Sequence, residues 1–120
     1  ALPIWNISVT IEDGGKFCVD MNDSLVSVLV TNLLKNAFVH NIDGGFIHIR
    51  ITPSLFEISN KGDKALDSER IFERFYQGQK KEGSTGLGLA LVDSICKSNR
   101  LQIIYAYTEG RHVFTITRQE

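Results

Sequence analysis

Residues 23–41 read DSLVSVLVTNLLKNAFVHN and form the longest helical pattern of the chain. Its apolar residues recur at helical intervals, which predicts an amphipathic helix whose N-terminus Asp23 or Ser24 can cap. Asn32 and Asn36 lie one helical turn apart and therefore share one face of this helix. Asn is a poor residue inside a helix and a buried amide needs partners, so the pair suggests a role beyond folding. The apolar positions are Leu25, Val28, Leu29, Leu33, Ala37 and Phe38.

The two asparagines have both a chemical and a purely structural explanation. A side-chain amide oxygen is a hard donor that can join phosphates and waters around Mg²⁺, which is rarely held by protein ligands alone. The same amides can instead bond the neighbouring backbone or face solvent, which a lone pair of this kind does more often than not. The stretch by itself leaves both explanations open.

A second helical pattern, residues 87–98, follows the glycine-rich sequence GSTGLG at 83–88. Glycines let a backbone approach a ligand closely, and a helix start carries partial positive charge, so this turn suits a phosphate chain. It fits neither a Walker A loop nor the dinucleotide-binding fingerprint, because those require Lys at 89 and Gly at 91, where this chain has Leu. Taken alone, a tight turn explains the glycines equally well.

The remaining patterns predict the fold class. Alternating or continuous apolar runs predict strands at 5–11, 17–20, 46–52, 55–59, 101–108 and 113–117, and a shorter helix is expected at 67–76. Hairpins separated by helices predict an α+β protein: a two-layer α/β sandwich with a mixed, mostly antiparallel sheet covered on one face by about three helices.

Composition narrows the class of protein. A chain of 120 residues is expected to form one domain over 1–120. Its 13 Lys+Arg against 14 Asp+Glu leave no positive surplus for phosphate backbones or anionic lipid, so neither a nucleic-acid partner nor membrane contact is expected. No apolar run approaches the ~20 residues that span a bilayer. Cys18 and Cys96 lack metal-site spacing and are expected to be reduced core thiols of a cytoplasmic protein.

Four short motifs occur in a familiar order. NLLKNA at 32–37 resembles the N box of sensor histidine kinases, ISNKG at 58–62 a G1 box, IFERFY at 71–76 the F box and STGLGLA at 84–90 the G2 box. Over residues 3–118 the chain thus resembles the catalytic ATP-binding domain of a sensor histidine kinase, from the gyrase/Hsp90/histidine-kinase/MutL superfamily. The resemblance implies ATP and Mg²⁺ as cofactors and an ATP lid at approximately 63–85.

The resemblance also implies roles for individual residues. Asn36 would be the Mg²⁺ ligand. Asn32 stands where the ATP hydrolases of the superfamily carry the glutamate that activates water, and an amide cannot take that proton at pH 7. The γ-phosphoryl group would then wait for a histidine instead of being lost to water. Arg74 would reach the γ-phosphate.

The nucleotide contacts implied by the resemblance lie in the other three motifs. Asn60 would accept a hydrogen bond from the adenine amino group, and Gly62 would let the strand end approach the base. Phe72 and Phe75 would anchor the lid. The residues left for the phosphates are Lys80, Lys81, Thr85, Gly86, Leu87 and Gly88, although surface charge on a lid is the commoner explanation of two such lysines.

The implied activity is that of an ATP-dependent protein-histidine kinase. It would donate the γ-phosphoryl group to a histidine on a separate dimerisation domain of the same kinase, from which a response regulator receiver domain takes it. His40, His48 and His112 lack the acidic context of a phosphoacceptor, so the acceptor is expected outside this chain. The chain would be the cytoplasmic part of a larger kinase.

Three departures from the motif pattern keep alternatives open. Asn60 replaces the usual Asp of the G1 box, Lys64 replaces its second glycine, and Val39 stands where a basic residue is frequent. They are compatible with a non-catalytic, degenerate partner-binding module of the same fold. A serine kinase of an anti-sigma-type regulator would use the same ATP site. The N box and the F box favour the histidine kinase.

Overall fold

The computed structural model describes residues 6–76 and 86–119. Within those ranges the chain forms a five-stranded sheet and two helices. In chain order the elements are β1 (Ser8–Asp13), α1 (Asp23–Val39), β2 (Phe46–Ile51), β3 (Leu55–Lys61), α2 (Gly88–Ser98), β4 (Leu101–Thr108) and β5 (Arg111–Arg118).

The sheet has the strand order β1-β2-β3-β5-β4. Strands β1 and β2 are parallel, and every other neighbouring pair is antiparallel. A parallel pair needs a crossover connection, and α1 lies within that connection. The predicted α+β architecture with a mixed, mostly antiparallel sheet is therefore confirmed.

The strand predicted at 17–20 is absent, because β1 pairs with β2 and not with the segment that follows it. Phe17 instead lies beneath the guanidinium group of Arg118, 4.6 Å from the ring centroid. Arg118 also donates to the carbonyls of Cys18, at 3.2 Å, and Pro53. This segment is held by the end of β5 and forms no ladder of its own. Cys18 is exposed, so only Cys96 is the buried thiol that the composition predicts.

The core lies between the sheet and the two helices. Alternate residues of the strands, such as Ile47, Ile49 and Ile58, face Leu33 of α1 and Val92 of α2 in one buried cluster. Burying a side chain of this size contributes about 1.5–3 kcal/mol. This packing holds α1 and α2 side by side on the sheet. None of the helices described here is long and apolar enough to cross a membrane.

Helix α1 begins and ends close to the predicted positions. Its N-cap is Asn22, whose Oδ1 accepts from the N–H of Ser24 at 2.7 Å, one residue before the predicted cap. The helix stops at Val39 because Asn41 is recruited elsewhere. Its buried side-chain amide donates to the carbonyls of Ala37, at 3.1 Å, and Phe46, at 2.9 Å, and so ties the helix end to β2.

The helix predicted at 67–76 is a series of turns. The N–H groups of Arg70, Glu73 and Tyr76 donate to carbonyls three residues earlier, at 3.1, 2.9 and 3.3 Å, which is the spacing of turns and not of an α-helix. Ile71 is the one fully buried side chain in this stretch, so it has little apolar face to stabilise a helix. The sheet face therefore carries two helices in the described residues, and not about three.

Candidate functional site

Asn32 joins α1 to the start of α2. Its Nδ2 donates to the carbonyl of Val28 at 2.8 Å, which is the backbone bond that the sequence left open as an explanation. That bond orients the amide and leaves Oδ1 available. A Cβ built on Gly88 would lie 3.0 Å from Asn32 Oδ1, so the two residues are in close approach. Asn36, one turn further on, is half-buried, and its side-chain amide has no hydrogen bond to the described residues.

The start of α2 is built by two residues with left-handed backbones. Phe75 has φ +64°, Gly86 has φ +75°, and the N–H of Phe75 donates to the carbonyl of Gly86 at 2.7 Å. A Cβ on Gly86 would lie 2.7 Å from Phe75 Cα, so both the backbone angle and the space require glycine. Leu87 stands at the N-cap and offers no side-chain cap to the first N–H groups of the helix. Those groups are suited to an anion.

Asn60 lies at the other end of this face, on β3. Its side chain is 1% exposed, and its Nδ2 donates to the carbonyls of His40 at 3.3 Å and Lys61 at 3.0 Å. Both amide hydrogens are therefore used, which sets the orientation of the group. Oδ1 remains as an acceptor, since no described residue donates to it.

These contacts place the predicted residues in a row along α1. Asn32 meets Gly88 near the middle of the helix, and His40, just past its end, meets Asn60. Eight residues of helix at about 1.5 Å each separate the two contacts by about 12 Å, with Asn36 between them. The row therefore suits an elongated ligand that has a hydrogen-bond donor at one end and negative charge at the other.

Gly62 is held by the β4–β5 hairpin. Its N–H donates to the carbonyl of Gly110 at 3.1 Å, and its own carbonyl accepts from the hydroxyl of Tyr107 at 2.9 Å. A Cβ at this position would overlap the imidazole of His112. The structure thus supplies a reason for the glycine that the sequence could not show, because His112 is distant in the chain.

The aromatic residues of the F box lie in different surroundings. Phe72 packs edge-on against Phe114, with 6.3 Å between ring centroids, and fastens this segment to the core. The ring of Phe75 is 65% exposed, so its attachment is the backbone bond to Gly86. Arg74 is exposed and lies over the Phe75 ring at 5.2 Å. Lys80, Lys81 and Thr85 lie outside the described residues, as does most of the second half of the predicted lid.

Residues 21–119 match the family described as histidine kinase-, DNA gyrase B-, and HSP90-like ATPase, and the chain belongs to that family. ATP is the ligand of this family.

The chain is similar to individual proteins named as sensors or histidine kinases. It is 37% identical over 103 residues to the heme sensor protein HssS of Staphylococcus aureus, covering 80% of this chain and 22% of that protein. The chain therefore spans about a fifth of the curated relatives it matches. Two solved structures share the fold. The catalytic domain of histidine kinase ThkA has a TM-score of 0.77 and 23% identity, over 95% of this chain and 79% of the other. The mycobacterial sensor histidine kinase MprB has a TM-score of 0.75 and 22% identity, over 93% and 81%.

Proposed function

We propose that the chain is the Mg-ATP-binding catalytic domain of a two-component sensor histidine kinase. In this proposal it donates the γ-phosphoryl group of ATP to a histidine on a separate dimerisation domain. The observation that supports it is the contact of Asn32 with Gly88 on the same helix face that leads to Asn60. One named relative is a sensor protein, and a structure of ThkA holds that kinase in complex with the response regulator TrrA.

The buried acceptor of Asn60 suits an adenine base. Its Nδ2 is committed to the carbonyls of His40 and Lys61, so only Oδ1 can face a ligand. Adenine offers an exocyclic amino group that donates to such an oxygen, whereas guanine carries a carbonyl at the same place and cannot donate. The site would therefore select ATP over GTP at this end.

The phosphate end would lie between Asn36 and the start of α2. The half-buried amide of Asn36 fits a Mg²⁺ ion, because its oxygen is a hard donor without a partner among the described residues. A bound Mg²⁺ supplies positive charge that offsets the charge of the phosphates. Gly86 and Gly88 would expose backbone N–H groups to the phosphates, with Leu87 between them. Arg74, Lys80, Lys81 and Thr85 complete the proposed contacts.

Asn32 would favour transfer to a protein over hydrolysis. The amide is neutral at pH 7 and cannot act as the general base that a water nucleophile needs. Its Nδ2 is also held by the Val28 carbonyl, so the group has a fixed orientation towards Gly88. The isolated chain should therefore bind ATP and turn it over slowly, because its acceptor is a histidine of the dimerisation domain.

The proposed partners follow from this chemistry. The first is the dimerisation and phosphoacceptor domain of the same kinase, and the second is a response regulator receiver domain that takes the phosphoryl group. The domain would work in the cytoplasm, where ATP and the regulator are found. The proposed lid covers approximately 63–85, within a single domain of 1–120.

A phosphotransfer assay tests the proposal. The chain is mixed with the separately purified dimerisation domain of its kinase and with ATP labelled at the γ-phosphate. We expect acid-labile, base-stable label on the dimerisation domain, as a phosphohistidine gives, and almost none with Asn36→Ala. Lys35→Ala, an exposed neighbour on α1, is the matched control and should transfer normally.

Two results would contradict the proposal. Label on a serine would indicate the serine kinase of an anti-sigma-type regulator. ATP binding without transfer to any acceptor would indicate the non-catalytic binding module.

A further inference from the structure

A buried polar cluster lies behind the end of β3. His112 is 4% exposed and Tyr105 is 9% exposed, and the Tyr105 hydroxyl lies 2.8 Å from His112 Nδ1. The imidazole also contacts the ring of Tyr107, with 5.2 Å between centroids. Burying polar groups costs free energy unless they are bonded, and a satisfied buried network makes the local structure rigid.

This cluster touches the part of the chain assigned to the base. His112 is the register partner of Asn60 across the β3–β5 ladder. Its ring occupies the space where Gly62 would carry a side chain, and Tyr107 donates to the Gly62 carbonyl at 2.9 Å. The position of the G1 box is therefore set by the hairpin of β4 and β5.

The Tyr105 hydroxyl also holds the segment that follows β3. The N–H of Leu66 donates to the Tyr105 hydroxyl at 2.9 Å. The same hydroxyl lies within hydrogen-bond distance of His112 Nδ1, and a hydroxyl can take part in both bonds because it has one proton and two lone pairs. One hydroxyl thus joins Leu66 to His112, and His112 in turn packs against Gly62.

We propose that His112 and Tyr105 are positioning residues for the base-binding end of the nucleotide site. They hold Gly62 and Leu66, and through Gly62 they fix the strand end that carries Asn60. Neither side chain is assigned a contact with nucleotide. The inference rests on the proposed function and adds to it the residues that determine how well the site distinguishes a nucleobase.

Removing one hydroxyl tests the inference. Tyr105→Phe keeps the ring and loses the bonds to Leu66 and His112. Calorimetric titration in Mg²⁺ with a non-hydrolysable ATP analogue, its GTP counterpart and inorganic tripolyphosphate separates the two ends of the site. We expect affinity for the ATP analogue to fall about fivefold to tenfold, which is the effect of losing one hydrogen bond between the base and the site. Preference for adenine over guanine should narrow, and tripolyphosphate affinity should stay unchanged.

Two further variants make the test specific. Tyr107→Phe removes only the bond to the Gly62 carbonyl and should reproduce the loss of adenine preference. Thr10→Val is the matched control, because it also removes a hydroxyl that bonds an imidazole, that of His48 at 2.6 Å, but on the exposed edge strand β1, and it should bind like the unchanged chain.

The outcomes separate this inference from the proposed function. A Tyr105→Phe chain that melts earlier but keeps its nucleotide affinity and base preference would overturn the inference alone and leave the pair a purely structural one. Absence of binding by the unchanged chain at millimolar nucleotide would overturn the proposed function, and this inference with it.

Discussion

The side-chain oxygen of Asn32 lies against Gly88, the first residue of α2, where a Cβ would come within 3.0 Å of it. This contact brings the N box and the G2 box together although they are far apart in the chain. It also fixes the width of the space between the helix face and the backbone that is proposed to receive phosphates. A small change at Gly88 should therefore affect binding more than folding.

Gly88→Ala tests this expectation. Alanine is a better helix residue than glycine by about 1 kcal/mol, so the melting temperature should stay level or rise. The new methyl group should displace the Asn32 amide, and affinity for an ATP analogue should fall at least several-fold. Calorimetry and thermal unfolding measure the two effects. Ser94→Ala, an exposed position of the same helix, is the control, and equal affinities for the two variants would contradict the account.

Gly86→Ala should be clearly more destabilising than Gly44→Ala. Both glycines have positive φ, +75° and +76°, so both substitutions incur the left-handed penalty of about 1–2 kcal/mol. Only Gly86 has a neighbour in the way, since its Cβ would lie 2.7 Å from Phe75 Cα, while nothing lies within 4 Å at Gly44. Urea unfolding should show an extra loss of about 1–3 kcal/mol for Gly86→Ala. Equal losses of unfolding free energy in the two variants would show that the Phe75 backbone can move away from the new methyl group without a measurable cost.

Asn60→Asp should destabilise the domain, although Asp is the residue usually found in the G1 box. The substitution replaces two donated hydrogen bonds, to His40 and Lys61, with a buried carboxylate facing their carbonyl oxygens. We expect a loss of about 2–4 kcal/mol at pH 7. The loss should shrink at pH 4, because a protonated carboxyl can again donate one bond.

The matched control is Asn22→Asp. This residue caps α1 through its oxygen and donates nothing in the process, so Asp can replace it and is favoured at a helix start. Denaturant unfolding at the two pH values compares the variants. A stable Asn60→Asp chain at pH 7 would mean that the amide hydrogens of Asn60 do not hold the strand end.

Cys96 should make the domain less stable in alkali. Burial, with a smaller contribution from the charge of Asp93, raises the pKa of its thiol from 9.0 to about 11. Between these values the native state holds a proton that the unfolded state releases, so stability falls as pH rises. The loss amounts to about 2 kcal/mol by pH 11.

Comparing the chain with Cys96→Ala isolates this contribution from other alkaline titrations. The difference in unfolding free energy between the two should narrow or change sign from pH 8.5 to pH 11. A thiol reagent at pH 8 should label one cysteine per native chain, the exposed Cys18. Rapid labelling of both thiols without denaturant would contradict the assignment.

Much of the fold was predictable because its signals are local. The apolar spacing of α1, the glycines before α2 and the alternation in β4 and β5 each depend on neighbouring residues. The four sequence motifs likewise indicated the family. The structure places Asn32 beside Gly88, and Asn60 beside His40 just past the end of the same helix. The binding roles that the resemblance implies for these residues stay a prediction.

What could not be predicted depends on contacts between distant residues. Helix α1 ends early because the Asn41 amide bridges to β2. Residues 67–76 form turns, with Tyr105 accepting a bond from the Leu66 backbone just before them. His112 carries no local signal of its position behind Gly62. In each case the decisive contact is made by a buried polar side chain, which the spacing of apolar residues does not reveal.

In the proposed function, Asn36 makes nucleotide binding by this domain dependent on Mg²⁺. Calorimetric titration with a non-hydrolysable ATP analogue should show tight binding with Mg²⁺ and much weaker binding with EDTA. Asn36→Ala should bind weakly and equally in both buffers, while Lys35→Ala keeps the Mg²⁺ dependence. Binding by Asn36→Ala that is as strong and as Mg²⁺-dependent as that of the unchanged chain would contradict the account.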